Sequence, residues 1–166
     1  KGRSIANLLE LKEGEKVAAL IRILSKTDEN KQDVTWEQAG EIFFATQQGT
    51  VKKTALSDFA NVRKGGIIAI TIDEGDALID VKQTLGDQEI LLGTKKGMAI
   101  RFKEDDVRAM GRTAMGVIGI RMDDDDELVG MEILTEGNTI LTVAERGYGK
   151  RTEVEEYRLQ SRGGKG

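Results

Sequence analysis

The residues that could do chemistry in this chain are its periodic basic ones, because the usual catalytic side chains are missing. There is no histidine and no cysteine among 166 residues. This removes the commonest general base and zinc ligand, together with thiol nucleophiles, thiolate metal sites and disulfides. Carboxylates, lysines, tyrosines and hydroxyls remain for acid–base or covalent work. The acids, however, cluster in Asp73-Glu74-Gly75-Asp76, Glu104-Asp105-Asp106 and Asp123 to Glu127. In such turn-like runs water holds carboxylates near their ordinary values. The last run lacks the alternating acids and central glycine of a calcium loop, so it reads as a solvated turn. No glycine-rich phosphate loop with its lysine is present. No catalytic residue and no metal ligand is assigned, and no cofactor is expected.

Binding is the chemistry left. Lys52-Lys53, Arg101 and Lys150-Arg151 stand three or four residues after Gly49, Gly97 and Gly147. Arg63-Lys64, Arg112 and Arg162 stand shortly before Gly66, Gly116 and Gly166. In repeats related by rotation, each set lines one rim as a belt of positive charge. Phosphates are held by forked donors or point charges at intervals, so such a belt suits a nucleic-acid backbone. A solvated rim that only maintains solubility fits the periodicity equally well. The net charge of −4 counts mildly against a general nucleic-acid binder, although segregated charge outweighs the sum.

The elements that must position these residues follow from a period. The turn glycines are 48 and 50 residues apart, and the glycines opening the next apolar run are 50 and 50 apart. A fixed spacing of this size marks a propeller-like array. Glycine stands third in Gln47-Gln48-Gly49, Lys95-Lys96-Gly97 and Glu145-Arg146-Gly147. A type I turn followed by a left-handed residue needs that arrangement. The turns separate short β-favouring runs such as Ile42 to Thr46, Ile90 to Leu92, Met98 to Phe102 and Ile140 to Val143. Leu56 to Phe59, Asp105 to Val107 and Val154 to Tyr157 are too short for stable helices and predict single turns. The expected fold is all-β, a wheel of about three repeats of ~50 residues plus a leading remnant, which protects strand edges.

Apolar residues make up 39% of the chain, enough for one domain or a segment of one over 1–166. Residues 1–23 read as the tail of a preceding blade: Gly2-Arg3-Ser4-Ile5 matches Gly66-Ile67, and Glu13-Gly14-Glu15 matches Asp73-Glu74-Gly75. Val17 to Leu24 predicts an apolar strand. Residues 24–41 hold the strand end and a polar insertion containing Trp36, which reads first as a lid over the adjacent apolar layer and second as a stacking platform. Residues 42–84, 90–134 and 140–166 are the successive repeats. The chain begins and ends inside repeats, as a segment of a larger polypeptide would. No apolar run approaches the roughly 20 residues that span a bilayer, so no membrane partner is expected. The lack of cysteine is compatible with a reducing cytoplasm.

Gln160-Ser161-Arg162-Gly163-Gly164-Lys165-Gly166 resembles Q-R-R-G-G-K-G, the GyrA box of bacterial DNA gyrase A subunits. Phe44 to Thr54, Arg63 to Ile70, Asp73 to Asp76 and Asp105 to Val117 are similar to the C-terminal domain of that family, in order and spacing. The likeness runs from Gly2 to Gly166. It implies a β-pinwheel of four-stranded blades that exchange strands, binding double-stranded DNA around a basic rim and wrapping it. It implies that the basic sets and the box bear on DNA, with no catalytic residue in this part. It further implies a cytoplasmic, chromosome-associated assembly of two A and two B subunits, with ATP and Mg2+ used elsewhere to drive negative supercoiling. Ser161 departs from the box by replacing an arginine. Ala55, Ala109 and Glu153 stand where members often carry proline. The related C-terminal domain of topoisomerase IV, and a protein-interaction propeller that never touches DNA, are the alternatives. The box glycines serve either as a small anion nest or as a tight strand-entry turn.

Overall fold

The computed structural model describes residues 2, 9, 11–23, 35, 38–63 and 65–166. Trp36, Lys64 and most of the 24–41 insertion therefore lie outside the described residues, as do Arg3 to Ile5. Among the described residues there are strands and short 3-10 turns but no α-helix. The strands are β1 (Glu41–Thr46), β2 (Thr50–Ala55), β3 (Leu78–Thr84), β4 (Glu89–Thr94), β5 (Ala99–Lys103), β6 (Val117–Ile118), β7 (Leu128–Leu134), β8 (Thr139–Val143) and β9 (Gly149–Glu153). The all-β class expected from the period is the one found.

Each repeat begins with a hairpin: β1–β2, β4–β5 and β8–β9 pair antiparallel. The hairpins turn where the glycine spacing requires. Gly49, Gly97 and Gly147 have φ of +83°, +91° and +82°. Their N–H groups donate to Thr46, Thr94 and Ala144 carbonyls at 3.0, 3.1 and 2.8 Å. An L-residue suffers steric strain at such φ; glycine does not. The strand that follows returns to the first strand of its own hairpin, β3 to β1 and β7 to β4.

Neighbouring repeats share a sheet. β6, from the second repeat, pairs with β2 of the first, Thr50 facing Ile118 and Val51 facing Val117. The sheet order is β3-β1-β2-β6, four strands, followed by β5-β4-β7 and β8-β9. Gly116 makes the exchange possible. A Cβ there would meet the Val51 carbonyl oxygen at 2.4 Å, and the residue has φ +114°.

Sheets stack face to face, so the pleat sends alternate residues toward opposite neighbours. Phe43, Ala45 and Val51 meet Ile90, Leu92, Ile100 and Phe102 in the main core, with Phe43 and Phe102 ring centroids 6.4 Å apart. The other face of the first sheet, Ile42 and Phe44, is covered by Ile21, Ile23, Ala69 and Ile70. The outer face of the second sheet, with Leu91 and Leu134, packs on Ile140, Val154 and Tyr157. Both faces of the first two hairpins are thus interior, each buried large apolar chain contributing about 1.5–3 kcal/mol.

The expected strand from Val17 does not form in the described residues 17–23. Its counterparts β3 and β7 pair with a hairpin earlier in the same repeat, and no such hairpin precedes residue 17 among the described residues. Ile21 and Ile23 pack on the first sheet instead, leaving Leu20 84% exposed.

Candidate nucleic-acid interface

Spacing predicts the post-turn bases on a rim; the strands place the first of them inside. Lys52 and Lys53 are consecutive on β2 and must point to opposite faces, and both faces are covered. Lys52 is fully buried. Its ammonium donates to the Ala69 carbonyl at 2.6 Å and to the Arg112 carbonyl, and lies 5.4 Å from the Phe44 ring centroid. Burial pushes its pKa down to about 8, with Asp58 pulling the other way. Lys52 therefore ties three backbone segments together and cannot reach a phosphate. Ile100 occupies the equivalent place in the second repeat and is equally buried.

Lys53, 5% exposed, points to the other face. It pairs with Glu41 at 3.1 Å, Glu104 at 3.6 Å and Asp105 at 3.8 Å. Burial raises the Glu104 carboxyl above its ordinary value, while Lys53 holds it down. Arg101 repeats the arrangement one period on. Its guanidinium pairs with Glu89, the counterpart of Glu41, and donates to the Val154 and Tyr157 carbonyls at 2.8 and 3.0 Å. Where Lys53 meets the buried carboxylate of Glu104 in the second repeat, Arg101 meets the backbone of Val154 in the third. The role shared by Lys53 and Arg101 is to fasten one repeat to the next.

The second basic set also has an internal duty. Arg112 Nη1 donates to the Ile68 carbonyl at 2.9 Å, and Arg162 Nη1 donates to the Ile118 carbonyl at 3.1 Å. Donor and acceptor are each 50 residues further on, so this is one clasp made twice. Arg162 Nε adds a bond to the Asp106 carbonyl at 2.8 Å. Both arginines remain partly accessible, and each spends only some of its five N–H donors this way.

The box itself lies on the second repeat. Gln160 N–H donates to the Arg101 carbonyl at 2.9 Å, and Gly163 N–H to the Gly119 carbonyl at 2.6 Å. A Cβ on Gly166, at φ +98°, would meet the Ala99 carbonyl oxygen at 2.7 Å, and one on Gly164 would meet Ile100 Cδ1 at 3.3 Å. Gly166 thus makes on β5 the approach that Gly116 makes on β2. Close packing of this kind accounts for the box glycines as a strand-entry turn. Ser161 is exposed, and exposed Lys165 forms a loose pair with Asp123 at 3.3 Å, an interaction of little energetic weight in water.

Arg63, Lys150 and Arg151 are exposed, whereas Lys64 lies outside the described residues. Lys150 and Arg151 sit on β9 where Lys52 and Lys53 sit on β2. Residues 109–118 cover β2 and 159–166 cover β5; none of the described residues covers β9 in this way.

Sequence reasoning missed two features. Asp76 and Asp126 cap the hairpin turns, accepting from Gln48 N–H at 2.9 Å and Lys96 N–H at 3.0 Å. The runs Asp73 to Asp76 and Asp123 to Glu127 are therefore turn anchors, with Lys95 bound to Glu127 at 2.7 Å and Lys96 to Asp125. These pairings hold both lysines above the usual lysine range. Lys103, Arg108 and Arg158 are exposed bases that the turn-glycine count passes over, although Arg108 and Arg158 are 50 residues apart.

The chain matches the family described as DNA gyrase C-terminal domain, beta-propeller, over residues 40–84, 88–135 and 138–166. It is 44% identical over 168 residues to the DNA gyrase A protein of Haloquadratum walsbyi, and 44% over 166 residues to that of Salmonella typhimurium. All of this chain is matched in both cases, but only 19% and 18% of those relatives. The chain thus spans under a fifth of their length. Among solved structures it is similar to the C-terminal domain of DNA topoisomerase IV, with TM-score 0.84 and 27% identity over 99% of this chain and 49% of that one. It is also similar to the DNA gyrase A C-terminal domain, with TM-score 0.80 and 24% identity over 100% of this chain and 52% of that one, a likeness of fold. Each matched segment contains one hairpin repeat, and the chain belongs to the DNA gyrase C-terminal domain, beta-propeller, family.

Proposed function

We propose that this chain binds duplex DNA through backbone phosphates on the exposed edges of its repeats and bends the duplex around them. It acts without catalysis of its own, as the wrapping part of a gyrase A protein. The observation that carries the reading is the matched family together with exposed bases at repeat edges: Arg63, Lys150, Arg151 and Lys165. Arg112 and Arg162 add donors while clasping neighbouring repeats. Lys52, Lys53 and Arg101 shape the wheel that the DNA follows. In this reading the DNA path feeds negative supercoiling by an assembly of two A and two B subunits in the cytoplasm, associated with the chromosome. ATP and Mg2+ belong to other parts of that assembly.

Bending 20–30 bp smoothly costs roughly 1–6 kcal/mol, so many modest contacts must act together. With about six phosphates neutralised, log K falls against log[salt] with a slope of about −5. A gel shift on long duplex DNA across a salt series measures that slope, and relaxation by a topoisomerase measures trapped writhe. A slope near zero refutes the reading. The likeness to the topoisomerase IV domain, at TM-score 0.84, supports a second reading as that enzyme's counterpart. The box-like segment and the 44% identity to gyrase A proteins favour the first.

A further inference from the structure

We infer that Arg108 and Arg158 are phosphate contacts, at equivalent places in consecutive repeats, on the surface that meets the duplex. This deepens the duplex-binding reading above and rests on it. Both side chains are exposed, and neither has a hydrogen bond or ion pair among the described residues. Several other exposed bases are engaged, Lys95 with Glu127, Lys96 with Asp125, Lys165 with Asp123, and Arg121 with the Gly163 carbonyl, whereas Arg63, Lys103, Lys150 and Arg151 share the exposure of Arg108 and Arg158. An unengaged guanidinium keeps its full fork of donors for a bidentate partner, and a phosphodiester presents two oxygens in the matching geometry.

The backbone that carries each arginine is pinned on both sides. Val107, 1% exposed, closes the turn with its N–H on the Glu104 carbonyl at 3.0 Å, and Met110 N–H bonds the Lys53 carbonyl at 2.7 Å. One period later, Tyr157 N–H bonds the Val154 carbonyl at 3.1 Å, and Gln160 N–H bonds the Arg101 carbonyl at 2.9 Å. Parallel bridges from Ala109 to Lys53 and from Leu159 to Arg101 lay both spans along their hairpins. The backbone carbonyls of buried Lys53 and partly buried Arg101 thus fix the shelf on which the exposed arginines stand. A fixed shelf lowers the ordering cost of each contact.

Among the described residues no neighbouring acid pairs with either arginine, and three of them contact other groups. Asp105 pairs with Lys53, Asp106 binds Arg162, and Glu155 accepts from Gly137 N–H at 3.1 Å. Glu156 is the remaining acid beside Arg158. The first repeat has Ala60 after its anchor Phe59, so the contact belongs to the second and third repeats.

The test compares the full-length protein with Arg108→Ala/Arg158→Ala, Arg108→Gln/Arg158→Gln and Arg108→Lys/Arg158→Lys, measuring Kd on long duplex DNA across a salt series. Losing two phosphate contacts makes the log–log slope shallower by about 1.8 and weakens binding roughly 30-fold at 0.15 M salt. The Lys pair keeps the slope. Thermal melting checks the fold, and the Gln pair serves if the Ala pair misfolds. Unchanged slopes in folded Ala and Gln pairs, with salt-dependent binding intact in the unmodified protein, overturn this assignment and leave the duplex-binding reading standing. Salt-independent or absent binding by the unmodified protein overturns both.

Discussion

Replacing Lys53 separates a buried fastener from a DNA contact. Lys53→Met removes the cation that faces Glu104, whose side chain is 1% exposed and whose Oε1 has no hydrogen-bond partner. Leaving one member of a buried ion pair unpaired costs about 3–5 kcal/mol. At about 2–4 °C per kcal/mol for a domain of this size, the melting temperature falls by roughly 6–20 °C. The sign with pH follows from Glu104, whose folded pKa is raised above 4.5 by burial. The folded state keeps that proton longer than the unfolded chain, so stability is lost as pH rises above 4.5 through the folded value. Removing Lys53, which holds the value down, enlarges the effect, and the deficit of the variant grows as pH rises above 4.5. The third repeat suggests the rescue, because Val154 stands where Glu104 stands. Lys53→Met/Glu104→Val recovers most of the loss, since replacing both members of a buried pair with apolar groups is often neutral. Calorimetry at several pH values on the four members of the cycle measures the coupling. A single variant within about 1 kcal/mol of wild type that instead lowers the DNA salt slope by about one refutes the placement of Lys53.

The other tests use the same logic. Lys52 has a folded pKa of about 8, below its ordinary 10.5, so between those values only the unfolded state holds the proton and stability rises with pH. Wild type gains up to about 3 kcal/mol over Lys52→Met across pH 8 to 10.5 in denaturant melts, and a flat or falling difference contradicts the buried ammonium. Gly116→Ala and Gly166→Ala force a Cβ to within 2.4 and 2.7 Å of a carbonyl oxygen, so each destabilises by about 1–3 kcal/mol in urea titrations. Arg101→Leu strips donors from Glu89, Val154 and Tyr157 and costs about 2–4 kcal/mol, while the DNA salt slope of the folded variant stays within about 0.5 of wild type.

Much of the architecture is legible in the sequence because backbone geometry leaves marks on residue type. Gly49, Gly97 and Gly147 must turn left-handed, and a turn signal repeated at a constant interval can only come from repeated units. The exchange of β6 onto β2 leaves a mark as well, in Gly116 and Gly166, but a lone glycine does not say which strand it approaches. That pairing joins residues far apart in the chain, Thr50 with Ile118, and is decided by packing. The strand expected from Val17 fails for a related reason: apolar residues announce burial, whereas a strand needs a partner.

Lys52, Lys53 and Arg101 show where charge can sit in a wheel of stacked sheets. Spacing alone suggests a belt of bases, yet spacing relates positions to one another and says nothing of which way they face. Two marks in the sequence point inward. Lys52 and Lys53 are adjacent on one strand, so the pleat forbids them a common surface. Ile100 fills the place of Lys52 in the next repeat, and an apolar side chain at an equivalent position belongs to an interior. Strand centres in such a stack face neighbouring repeats on both sides, and a cation there is held only by partners such as Glu104 or the Ala69 carbonyl. Positions free to meet a polyanion then lie on turns, on the short spans that cross from one repeat to the next, and on a strand that no described residue covers, as Lys150 and Arg151 do on β9. Arg63, Arg108, Arg158 and Lys165 all lie outside the strands. Periodicity in the strands therefore specifies how the repeats are fastened, and in the proposed reading periodicity in the crossings supplies the phosphate contacts.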